Sequence, residues 1–220
     1  MKPNLASYLD FANHHQDATP QEIERLCQLV KKFDFHGAFV NPGYISLAKE
    51  FLKGEGVVGT VVSFPLGQDS REIKVIAAID ATQKGADELD VCMNVGLFKG
   101  GKDKLVLEEM RVVVEAAKNI KKATLVKFII ETGLLTASEI KKAAQLVLHS
   151  GADFVKTTSG WGPRGASLED VKLIREAVGK KIKIKVAGGI DTYQEAIDFI
   201  KAGADRIGTS KAVEIIKEAR

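Results

Sequence analysis

The sequence predicts a single α/β domain spanning residues 1–220, a (β/α)8 TIM barrel, on three observations. Strand-forming runs and amphipathic helices alternate along the whole chain, and strict alternation calls for parallel strands with helices packed outside them. A glycine-centred phrase recurs, as HGAFVN at 36–41, KGADELDV at 85–92, SGADFVKT at 150–157 and AGADRIGT at 202–209. Each copy follows a helix and opens a strand. The length, 220 residues, also suits one closed α/β barrel, which typically needs roughly 200–250. An open doubly wound sheet is the competing architecture, but no glycine-rich dinucleotide fingerprint follows the first strand, and a quasi-repeat over pairs of units suits a ring.

Taken in order, the first strand lies near SYLD, residues 7–10. Thr19 and Glu22, at capping-box spacing with Pro20 between them, open the first helix. HGAFVN supplies the second strand, VVGTVVSF (57–64) the third, KGADELDV the fourth and LVKFIIE (125–131) the fifth. Thr136 with Glu139 caps the next helix, and SGADFVKT carries the sixth strand. KIKIKVAGG (181–189) is the seventh; Thr192 with Glu195 starts the helix that leads to AGADRIGT, the eighth. In each recurring phrase the glycine reads as a helix C-cap in the left-handed conformation.

Composition narrows the function classes. With 45% apolar and 28% charged residues the chain is neither disordered nor fibrous. The net charge is +3 with basic residues scattered among acidic ones, which leaves no footprint for nucleic acid or a membrane surface. Small molecules are the expected partners. The two cysteines, Cys27 in a helix and Cys92 in a strand, offer neither a disulfide framework nor zinc spacing. The opening MKPNLASYLDFANHH turns polar too early for a signal-peptide core, and no run reaches about 18 apolar residues. A cytoplasmic location is expected.

Side chains alternate across a strand, so each barrel strand sends one parity to the helices and the other inside. In KIKIKVAGG the apolar Ile182, Ile184 and Val186 must meet the helices, which turns Lys183 and Lys185 inward. By the same reasoning Leu89, Val91 and Met93 face out while Glu88, Asp90 and Cys92 face in. Val126, Phe128 and Ile130 face out while Lys127, Ile129 and Glu131 face in; Lys156 shares its parity with Phe154 and Thr158. Asp90, Lys127, Lys156 and Lys185 therefore converge, where ordinary barrel interiors hold branched aliphatics. Lys183 begins its strand and is read as reaching solvent at the barrel floor.

An unpaired buried ion costs several kcal/mol, which argues for use rather than accident. Two ammonium groups in one dry pocket disfavour each other and burial disfavours both, so one should be partly neutral near pH 7. A neutral lysine attacks carbonyls and forms a Schiff base, an electron sink for making or breaking an adjacent carbon–carbon bond. Asp90 is the expected proton shuttle, with Glu131 the weaker candidate. After the last three strands come SGWGPRG, AGGID and GTSK, small-residue loops of the kind that hold phosphate at the top of a barrel.

With ELDVCMNVG, VKFIIETGLL, GADFVKTTSG, IKVAGGI, ADRIGTS, FVNP and SFPLG, the chain resembles the deoxyribose-phosphate aldolases from about Asp10 to Ser210. The resemblance implies reversible cleavage of 2-deoxy-D-ribose 5-phosphate to D-glyceraldehyde 3-phosphate and acetaldehyde, with no metal or other cofactor. Carried over to this sequence, Lys156 would form the Schiff base, Lys185 would depress its pKa and Asp90 would relay protons through water. Lys127, Asp10 and Thr158 would position the substrate, and Gly160, Gly188, Gly189, Gly208 and Ser210 would hold the phosphate. The family forms dimers and tetramers, so a homo-oligomer is expected.

Departures from the family pattern are concentrated. DFANHHQ (10–16) stands where a DHTLL- or DLTTL-like segment is usual, placing Ala12 where a threonine helps line the pocket. Asp191 follows GGI in place of a frequent arginine, Phe39 precedes VNP in place of a frequent cysteine, and the loop after Gly160 carries Trp161. Lys211 or Arg164 is the expected substitute for the lost positive charge. His14 and His15 read as a polar loop, with a metal site shared with Asp10 or Asp17 the less favoured reading. Two alternatives accompany the aldolase reading: a related Schiff-base aldolase taking another aldehyde, and a catalytically silent protein that binds sugar phosphates.

Overall fold

The computed structural model describes residues 4–218. Eight parallel strands close into a barrel in sequence order: β1 (Leu9–Asn13), β2 (Gly37–Val40), β3 (Val57–Val62), β4 (Glu88–Cys92), β5 (Leu125–Ile129), β6 (Phe154–Lys156), β7 (Lys183–Ala187) and β8 (Arg206–Thr209). Helices α1 (Pro20–Phe33), α2 (Ile45–Leu52), α3 (Arg71–Gln83), α4 (Val95–Lys99), α5 (Asp103–Ile120), α6 (Ala137–His149), α7 (Leu168–Val178), α8 (Tyr193–Ala202) and α9 (Ala212–Glu218) surround it. The short α4, opened by the Asn94 side chain accepting from the Leu97 amide, is an addition to the expected alternation.

The capping boxes anticipated at Thr19, Thr136 and Thr192 are all formed. Leu89, Val91, Val126, Phe128, Ile184 and Val186 are buried in one core shared with the helices. Each such side chain contributes about 1.5–3 kcal/mol by leaving water. With these facing out, strand parity leaves Asp90, Lys127 and Lys185 inside, as read from the sequence. Lys183 is exposed at the floor.

Three local expectations are corrected. The first strand begins at Leu9 because Leu5–Tyr8 forms a 3-10 turn, and the polar DFAN segment, not SYLD, makes the pairings with β2. Of the four phrase glycines, Gly85, Gly151 and Gly203 have positive φ. Gly37 does not: Asp34 takes the left-handed C-cap of α1, and a Cβ at position 37 would collide with the Val57 carbonyl. Glu131 lies beyond β5 in a left-handed conformation (φ 54°) and accepts a hydrogen bond from the Ser159 amide at 3.0 Å, so strand alternation no longer directs it toward Asp90.

Candidate active site

Register brings the reactive groups together. Lys156 on β6 is the pairing partner of Lys185 on β7, and Asp90 on β4 pairs with Lys127 on β5; partners on neighbouring parallel strands share a face about 4.8 Å apart. The Asp90 carboxylate is the hub. Its Oδ2 accepts from Lys156 Nζ and from Lys185 Nζ, each at 2.8 Å, while its Oδ1 accepts from Lys127 Nζ at 2.9 Å.

A second tier supports this one. Lys127 Nζ lies 2.5 Å from Glu88 Oε2, and His36 Nε2 lies 2.9 Å from Glu88 Oε1. Lys185 Nζ lies 2.6 Å from Asp10 Oδ2, and Arg206 lies 3.3 Å from Asp10 Oδ1. Arg206 and His36 were not singled out from the sequence. The signal for Arg206 was present in RIGT, where it shares the inward parity of Gly208 opposite Ile207; His36 precedes its strand and gave none.

In this buried cluster the carboxylates of Asp10, Glu88 and Asp90 face the cationic groups of Lys127, Lys156, Lys185 and Arg206. Charging every group leaves a surplus cation where solvation is poor, and loss of one proton relieves it. Of these cations, Lys156 has its pKa lowered: burial lowers it, the Asp90 charge opposes this, and Lys185 lowers it again. Burial is thus the main cause and Lys185 a lesser one, whereas the family resemblance had assigned the effect to Lys185. Asp90 is held well below the usual carboxylate range because Lys127, Lys156 and Lys185 together outweigh its burial. Lys127 is likewise buried, but Asp90 and Glu88 outweigh that and push its pKa up, which keeps it an ammonium.

Phe39 on β2 closes the opposite wall. Its ring centroid is 3.5 Å from Lys185 Nζ and 4.8 Å from Lys127 Nζ, a cation–π arrangement that stabilises charge where water is excluded. Gly59 on β3 makes room, since a Cβ there would overlap the ring.

Above the cluster opens a cavity of about 330 Å³ whose wall includes both Lys156 and Lys185. Gly160, Gly188, Gly189, Gly208 and Ser210 all line it. Gly188 has φ 90°, and a Cβ on it would meet Thr158 Oγ1. Thr158 itself is not on the wall: its hydroxyl donates to the Ala187 carbonyl at 2.7 Å and accepts from the Gly160 amide at 3.2 Å. Asp10 is likewise beneath the wall, against Lys185.

The DeoC/LacD family aldolase model matches residues 5–212. The chain belongs to that family. It is 43% identical to the deoxyribose-phosphate aldolase of Caldicellulosiruptor saccharolyticus, over 99% of both chains. With the deoxyribose-phosphate aldolase of Mycoplasma pneumoniae it shares 46% over 99% of this chain and 96% of the other. A solved structure described as "QR15, an Aldolase" superposes with a TM-score of 0.93 at 36% identity, covering 100% of this chain and 96% of that one. The deoxyribose phosphate aldolase of Aeropyrum pernix, described as having a unique tetrameric structure, gives 0.89 at 30% identity, covering 98% and 90%.

In this DeoC/LacD aldolase the cavity mouth holds the residues at which the sequence departed from the expected family pattern. Ala12, His14, His15, Trp161 and Asp191 all line it, and among the described residues no lysine or arginine does apart from Lys156 and Lys185. Arg164 does not replace the missing positive charge: it grips Asp170 at 2.7 and 2.9 Å and the Thr132 carbonyl at 3.1 Å. Lys211 is exposed and off the wall. His14, expected in a polar loop, has its ring against Phe64 with centroids 5.3 Å apart. Neither His14 nor His15 joins a ligand cluster; among the described residues the group with metal-ligand spacing is Asp10, His36 and Glu88. Lys127, Lys185 and Arg206 already counter its carboxylates.

Proposed function

We propose that this chain is a class I deoxyribose-phosphate aldolase, cleaving 2-deoxy-D-ribose 5-phosphate reversibly to D-glyceraldehyde 3-phosphate and acetaldehyde through a Schiff base on Lys156. The observation that carries the reading is a buried cavity-wall amine, Lys156, that shares one carboxylate oxygen of Asp90 with a second lysine; burial lowers its pKa. The neutral Lys156 amine attacks the C1 carbonyl, and the carbinolamine loses water to give an iminium ion. The C3 hydroxyl then gives up its proton, the C2–C3 bond breaks, and its electrons flow into the iminium to leave an enamine and release glyceraldehyde 3-phosphate. Protonation at C2 and hydrolysis release acetaldehyde and restore the amine. Asp90, ionised and in contact with both lysines, manages these protons through water; Lys185 and Lys127 hold it in place and supply positive charge beside the forming alkoxide.

Gly160, Gly188, Gly189, Gly208 and Ser210 are the proposed phosphate cradle, since glycine lets backbone amides approach an anion closely. Borohydride reduction with acetaldehyde present tests the assignment. An ethyl adduct on Lys156 is expected; an unmodified Lys156 beside a labelled control aldolase would refute it. Asp191 at the phosphate end favours one second reading, an aldolase of the same chemistry that prefers unphosphorylated aldehydes. Turnover of deoxyribose with and without its 5-phosphate separates the two. The protein is further proposed to work in the cytoplasm as a homodimer or homotetramer, the latter supported by the tetrameric relative; among the described residues no helix is long and apolar enough to cross a membrane.

A further inference from the structure

His14 directly follows β1 and lies on the wall of the cavity that holds Lys156. Part of the residue is exposed, yet its ring atom Nδ1 is buried and has no hydrogen-bond partner in the protein. A buried polar atom without a partner is costly, and at a cavity wall it invites a ligand group. Phe64 packs against the ring at 5.3 Å between centroids. A neutral imidazole protonated at Nε2 leaves Nδ1 with a bare lone pair. Burial is the main cause that pushes the His14 pKa down to about 3, so the ring is neutral at ordinary pH.

A substrate bonded to Lys156 through C1 and reaching the glycine loops with its far end occupies the cavity that His14 also lines. We infer that His14 determines acceptor specificity: its Nδ1 accepts a hydrogen bond from the hydroxyl next to the reacting carbon, the C4 hydroxyl of the sugar and the C2 hydroxyl of the acceptor aldehyde. The inference rests on the aldolase reading and deepens it. Acceptors with that hydroxyl satisfy Nδ1, whereas acceptors lacking it leave the atom unpaired in a drier site.

The test compares addition of acetaldehyde to D-glyceraldehyde and to propanal, both unphosphorylated so that the anion cradle does not enter the ratio. In the unsubstituted protein kcat/KM favours D-glyceraldehyde. His14→Leu, close in size but with no acceptor, lowers that preference about tenfold, and His14→Gln, which offers an amide oxygen, restores part of it. Borohydride trapping of acetaldehyde on Lys156 in each variant reports whether the site is intact. A preference unchanged in His14→Leu while trapping persists would overturn the inference and leave the aldolase reading standing. Equal loss on both acceptors, with trapping intact, would overturn it too by assigning His14 a merely structural part. Absence of any adduct in the unsubstituted protein would remove the aldolase reading and this inference together.

Discussion

The two sides of the barrel interior are built on opposite principles. Toward β2 and β3 the inward positions hold Phe39, Gly59 and Val61, an aromatic plate in a space cleared by glycine. From β4 round to β1 they hold Glu88, Asp90, Lys127, Lys156, Lys185, Arg206 and Asp10, linked by contacts of 2.5 to 3.3 Å. The quiet side excludes water and gives the charges a low-dielectric wall; the charged side exploits it. Burial is the first cause of the lowered Lys156 pKa, so the apolar half is part of the chemistry.

Substitutions on the charged side should lose function far more than those on the quiet side. The largest expected effect belongs to Asp90→Asn, which removes the charge all three lysines share. Turnover should fall about 10²–10⁴-fold, and stability by about 3–5 kcal/mol because buried ammonium groups lose their counter-charge; steady-state kinetics and denaturant unfolding read both. Lys185→Leu comes next. It removes a like charge that lowers the Lys156 pKa, so that pKa rises, less amine is neutral at a given pH, and the acid limb of kcat/KM should move to higher pH. A limb that stayed put would mean burial acts alone.

Lys156→Met sharpens the contrast through stability. The folded pKa of Lys156 is lowered from its ordinary 10.5, so between the two values the unfolded chain binds more protons and stability rises with pH. The variant should lack that rise when unfolding is followed from neutral pH to about 10. The smallest effect is expected from Val61→Ala on the quiet side: a loss of about 1–2 kcal/mol through lost packing with trapping at Lys156 preserved. Loss of adduct there would break the division between the two halves.

Strand alternation explains what the sequence made legible. Asp90, Lys127 and Lys185 occupy strand interiors flanked by aliphatics, so parity alone turned them inward, and register did the rest. Legibility failed where strands end. Glu131 leaves β5 in a left-handed conformation, and His14 lies one residue past β1, where no period dictates direction. The Arg164–Asp170 pair joins a loop to the first turn of α7, a contact that local spacing does not encode. The paired roles of Phe39 and Gly59 required knowledge of which rings and gaps face each other across β2 and β3.

The central claim is that the closed interior, wall and charges together, strips Lys156 of its proton more readily than an ordinary lysine. Titration of its ε-carbon by NMR in protein carrying labelled lysine, assigned by comparison with Lys156→Met, measures this directly. A midpoint below the ordinary lysine value of 10.5, with the Lys127 signal titrating above it, is the expected result. A Lys156 midpoint at or above 10.5 would contradict the account.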